Sequence, residues 1–141
     1  MGLVFVALIS ACQPRDGDND GIVTADDAQI FDAIAPDETV YFSGTEPFWG
    51  GQAVYGTLTY MTPDNGDGVD IEVERFVGNN GLSFSGEMNG QAFDLAVTPG
   101  ECSDAMSDRT YPYVATLQID EEARAGCAWT DLQPFSGPQN P

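Results

Sequence analysis

The sequence predicts an all-β fold, a small antiparallel barrel-like meander of seven or eight strands with one short N-terminal helix. Beyond Pro36, apolar and polar residues alternate in short runs, the period of strands that turn one face to a core and one to water. Between these runs stand Gly, Asn, Asp and Pro clusters too short to carry a crossover, so successive strands pair antiparallel. The chain has 141 residues, 42% of them hydrophobic, enough for one domain with a modest core. So many short strands must hide their edges in a closed barrel or a sandwich, and the barrel is the expected solution.

The leading helix is read from Thr24, which can cap it, through the stripe of Ile30, Phe31 and Ile34 to its stop at Pro36. Residues 40–43 and 52–62 are the first strands, and residues 63–68, PDNGDG, turn the chain. In the run 69–73, Val69, Ile71 and Val73 alternate with acids. Asn79, Asn80 and Gly81 turn into residues 82–88, where Leu82 and Phe84 face inward. Asn89-Gly90 is the strongest hairpin signal, because both residues tolerate the positive φ of a type I′ turn. Phe93, Leu95 and Val97 mark the next strand, Tyr113, Ala115, Leu117 and Ile119 a later one, and residues 124–130 the last. The tail, rich in Pro and Gly, is expected to lie along the surface.

Ahead of the domain, residues 2–11, GLVFVALISA, form an apolar run of the length of a secretory h-region and too short to span a bilayer as a helix. Ile9-Ser10-Ala11-Cys12 resembles the bacterial lipobox, in which the cysteine is lipidated and becomes the first mature residue. The expected organisation is a lipoprotein signal peptide at 1–11, an acidic tether at 12–24, a β domain with its helix at 25–136 and a tail at 137–141. The resemblance implies a membrane partner through a lipid anchor in a bacterial envelope. Gln13 after the cysteine, by the enteric sorting pattern, points to the outer membrane facing the periplasm.

That address gives meaning to the two remaining cysteines. In an oxidising compartment Cys102 and Cys127 are expected to form a disulfide, the alternative being a reactive thiol tuned by Arg109. In the tether, Asp16, Asp18, Asp20 and Asp27 stand at positions 1, 3, 5 and 12 of an EF-hand-like loop, with Gly21 at position 6. Calcium is thus the one candidate cofactor. Against it stand the missing entering helix and an Asp where the loop's last ligand is commonly the longer Glu.

Charge excludes other classes. Four arginines and no lysine face 23 acids, for a net charge of −19, which opposes contact with a nucleic-acid backbone; solubility is explanation enough for the acids. With no histidine, Ser-His-Asp and Cys-His relays are impossible, so any catalysis would rest on carboxylates, a metal or an arginine.

Two stretches break the alternation: residues 44–49, GTEPFW, and residues 102–113, CSDAMSDRTYPY. Together with GCAW at 126–129 they resemble an uncharacterised family of bacterial envelope lipoproteins, sometimes fused to META domains or to lysozyme-inhibitor-like modules. The likeness covers roughly residues 38 to 136 and implies a location and an architecture but no reaction. The chain has Ala105 where the family motif has Gly.

Thr45, Glu46, Phe48, Trp49, Asp104, Asp108, Arg109 and Tyr111 are the candidates for a binding site or an internal latch. Arg109 is expected to clamp Asp104, Asp108 or Glu46, with a ligand pocket as the alternative. The function expected is a non-enzymatic envelope lipoprotein that binds a small ligand or an envelope protein. The alternatives are a lysozyme-inhibitor-like protein and, at a further remove, a carboxylate-dependent hydrolase.

Overall fold

The computed structural model describes residues 30–45, 47–105 and 107–138. Eight strands follow one another: β1 (Val40–Gly44), β2 (Trp49–Val54), β3 (Thr57–Thr62), β4 (Asn65–Val77), β5 (Leu82–Met88), β6 (Gln91–Cys102), β7 (Tyr111–Ile119) and β8 (Glu122–Thr130). Each pairs antiparallel with the next, and β8 returns to β1, from Val40↔Thr130 to Gly44↔Gly126, so the sheet closes into a barrel. The predicted class holds, at the upper of the two strand counts.

Turn chemistry sets the register. Asn89 (φ 54) and Gly90 (φ 78) both take positive φ, as the hairpin signal requires. The run 52–62, read as one strand, is two. Tyr55, with φ 55, and Gly56 reverse the chain between β2 and β3, a turn hidden because Tyr seldom occupies the left-handed region. The turn read over 63–68 shrinks to Pro63 and Asp64, because β4 already begins at Asn65 opposite Thr62, past a bulge.

Inward residues fill the barrel. Val40, Phe42, Leu58, Ile71, Leu82, Phe84, Phe93, Leu95, Val97, Ala115 and Leu117 are all buried in one continuous cluster. Eight strands enclose a space that side chains can fill completely. Trp49 belongs to the same cluster and is 0% exposed.

A plug closes the end at which β1 begins and β8 ends. The predicted helix does not form where it can be seen, since residues 30–36 are irregular; the remainder of that helix lies outside the described residues. What the apolar stripe supplies instead is burial. Ile34 enters the core, and Phe31 meets Tyr113 edge to face at 6.2 Å. The plug's backbone is held by the barrel and tail: Phe31 N donates to Gly78 O (2.8 Å), Arg75 to Ile34 O (2.7 Å) and Gln133 Nε2 to Ala33 O (2.8 Å). Tyr113 Oη donates in turn to Gln133 Oε1 (2.7 Å). Arg75 of β4 and Gln133 beyond β8 thus supply donors to the carbonyls of an irregular segment that has no ladder of its own.

Burial raises the pKa of the Tyr113 phenol above its ordinary value. Burial also raises Tyr60, against a lowering by Arg124. A raised folded-state pKa means stability fully present below the unfolded value near 10 and lost as pH climbs through the folded one. Alkaline titration followed by tyrosinate absorbance should therefore show a late class that ionises together with unfolding. A single class ionising near the free value, with the fold intact, would contradict it.

Candidate functional site

The two segments outside the alternation do meet. The β6–β7 loop folds back over the outside of the barrel, where Cys102 is bonded to Cys127 of β8, with Cα atoms 5.6 Å apart. Cys127 lies opposite Val114 on one side and Ser43 on the other, so the bond fixes the start of the loop over the junction of β7, β8 and β1. The disulfide expected from cysteine counting is thus present. Beside it, Gly44 and Thr45 face Ser103 and Asp104 across a cleft of about 250 Å³, floored by Val114, Ala125 and Gly126.

Asp104 organises the loop. Its carboxylate accepts from Ser107 N (2.9 Å), from Ser107 Oγ (3.0 and 2.9 Å) and from Tyr111 Oη (3.4 Å). A carboxylate that caps the next turn in this way favours a tight loop over regular structure. Ala105 has φ 60, a left-handed conformation that costs an L-residue roughly 1 kcal/mol. Glycine would adopt it freely. Ala105→Gly should raise stability by up to about 1 kcal/mol, the relief being partly offset by glycine's greater unfolded entropy. A lower thermal midpoint would count against that strain.

Arg109 serves a purpose the acid-clamp expectation did not include. Its guanidinium lies 4.2 Å over the Phe135 ring, and its Nε donates to Pro138 O at 2.6 Å. The arginine thereby joins the loop to the C-terminal tail, as does the two-way backbone bond between Thr110 and Ser136, at 2.9 Å each way. Tyr111 is buried against Trp129 (5.2 Å) and Phe135 (5.5 Å), and Trp129 stacks on Tyr41 (5.6 Å). This external aromatic cluster lies across β1, β7, β8 and the tail; Tyr111 and Trp129 stand in motifs quoted from the sequence, and Tyr41 and Phe135 do not. Phe135 sits in a stretch whose composition reads only as tail.

The remaining candidates separate. Trp49 points into the barrel and packs on Phe42 at 5.9 Å. Its partner space is made by glycines: a Cβ at Gly44 would stand 2.1 Å from Trp49 Nε1, and one at Gly126 would stand 2.9 Å from Trp49 Cζ2. Trp49 is therefore a packing residue and not part of the cleft. Phe48, half exposed, lines a different shallow groove of about 230 Å³ with Tyr41, Met61 and Trp129. Asp108 is exposed. Cys12, the acids at 16, 18, 20 and 27, and Glu46 lie outside the described residues. Compared with protein-family models, curated proteins and solved structures, the chain matches none.

Proposed function

We propose that this chain is a lipid-anchored envelope protein whose barrel is a non-enzymatic binding module, engaging its ligand or partner from the outside through the cleft of Gly44, Thr45, Ser103 and Asp104. One observation carries the location of the site: the barrel interior is occupied by its own side chains, so recognition belongs to the outer surface. The disulfide at the cleft edge supports the reading, because a pinned loop presents polar groups with little ordering cost on binding. The non-enzymatic reading is supported by Asp104, whose carboxylate is already engaged by the loop's own hydroxyls.

A photo-reactive residue at Thr45 should cross-link a discrete partner or ligand in intact envelopes, while one at the exposed Gln118 on β7 should not. Identical products from both positions would sink the site. The anchor is tested separately: labelled palmitate should enter the chain and fail to enter Cys12→Ala, and label retained in that variant would refute lipidation at this cysteine.

A second reading, inhibition of a lysozyme, draws on the net charge of −19, which would steer encounter with a strongly basic enzyme. Muramidase turnover that falls on adding the protein, and recovers when Asp104 is replaced by Lys, would favour it. Undiminished turnover would remove it.

A further inference from the structure

We propose that the plugged end of the barrel is a membrane-docking face, which sets the domain down on a neutral, zwitterionic lipid surface; this rests on the lipid-anchor reading above. The argument begins from where apolar side chains are left in water. Among the described residues seven large hydrophobics are exposed: Ile30, Phe48, Tyr55, Phe76, Val69, Val77 and Leu132. Topology sorts them unevenly. The end where β1 begins also carries the β2–β3 turn, the β4–β5 turn and the exit from β8. Ile30, Tyr55, Phe76, Val77 and Leu132 all belong to it, and only Val69 and Phe48 do not.

Their setting is that of a contact surface. β4 continues through residues 73–77 beyond its last pairing with β3, at Thr57↔Glu72, so Phe76 and Val77 stand on a stretch of β4 that β3 leaves uncovered. Ile30 stands next to that hairpin, since Phe31 N is bonded to Gly78 O. Ile30 is 73% exposed and Leu132 78%, values that serve no core. Scattered single residues of this kind need no explanation, whereas their gathering at one end does.

The occupant follows from the chain itself. The segment ahead of Ile30 leads back to Cys12 and the apolar run before it, and it joins the barrel at this same end. An anchor there holds these exposed residues next to the bilayer, and short apolar insertions at the interface then fix which end of the barrel faces it. Charge selects the lipid. Asp32, Asp37 and Asp131 flank the face on a chain of net charge −19, so anionic headgroups repel it and zwitterionic ones do not.

The test compares two tryptophan reporters in the full lipidated chain, reconstituted in vesicles of brominated phosphatidylcholine. Phe76→Trp stands at the proposed face and Phe48→Trp at the opposite end; the parent residues are 53% and 54% exposed, so the pair is matched. The emission added by Trp at 76 over the parent chain should be lost to bromine quenching, and that added at 48 should persist. Chain that floats with the vesicles while both reporters stay bright overturns docking and leaves the anchor standing. Equal quenching of both reporters overturns it as well, since no particular end is then presented. Chain that neither takes up palmitate nor floats refutes the anchor and takes the docking face with it.

Discussion

Gly44→Ala should destabilise the barrel by about 2–3 kcal/mol, the upper part of the range for overpacking a well-filled core. The new methyl would lie 2.1 Å from Nε1 and 2.4 Å from Cε2 of Trp49. The indole has no room to yield, being fully buried and in contact with Phe42. Truncating the partner, Trp49→Ala, should itself cost about 3–5 kcal/mol. The informative result is the double variant: with the indole gone, the alanine at 44 fills space instead of colliding, so the two costs should fall short of their sum by more than ~1 kcal/mol. Gly126→Ala should show no comparable rescue, because its methyl would also stand 2.3 Å from the backbone oxygen of Ser43 across the β1–β8 pairing. Denaturant midpoints of the four-member cycle measure this directly, and strict additivity at position 44 would mean that the indole does not lie on that glycine.

Opening the Cys102–Cys127 bond is expected to cost about 3.5 kcal/mol on the chain-entropy estimate for the 25-residue separation of the two cysteines. Beyond stability, it should release the β6–β7 loop from β8 and widen the cleft, since Cys102 and Ser103 form one wall and Gly126, next to Cys127, part of the floor. The pair Cys102→Ser with Cys127→Ala avoids leaving a new buried hydroxyl where Cys127 is 1% exposed. Urea unfolding of this variant against the oxidised parent gives the energy, and amide exchange at residues 103–110 gives the loop. A midpoint unchanged by the substitutions would show that the bond contributes nothing to the fold.

β5, β6 and β7 were legible because their inward sets keep a two-residue period between turns, as Asn89-Gly90 and the inward set of β7 illustrate. β4 was legible only in part: it runs from Asn65 to Val77, well beyond 69–73, and Val69, read as facing the core, is 38% exposed. In β8 the period fails where Cys127 and Ala128 are both buried, because the β6–β7 loop covers the outer face there. The β2–β3 turn was not legible, because Tyr55 adopts a conformation that its residue type disfavours, and only the change of parity in the inward set, from Ala53 to Leu58 and Tyr60, marks the break. The plug was misread for a related reason. A stripe of Ile30, Phe31 and Ile34 fits helical spacing, yet tertiary bonds from Arg75 and Gln133 satisfy the backbone of an irregular segment equally well. Of the candidate site, cysteine chemistry located the loop correctly. Local spacing could not show that Trp49 seats on a glycine from the far end of the chain, which depends on closure of the barrel, or that Arg109 reaches the tail, which depends on the course of the chain beyond the β7–β8 hairpin.

That closure has a consequence for how the chain matures. Seven of the eight strand pairings are hairpins that can zip as soon as both arms exist, but the β1–β8 seam joins the first strand to the last. A polypeptide growing from its N-terminus therefore carries an unpaired β1 edge, open to any passing strand, until residue 130 is available. Chains ending before β8 should accumulate as edge-joined oligomers rather than as monomers with a missing stave.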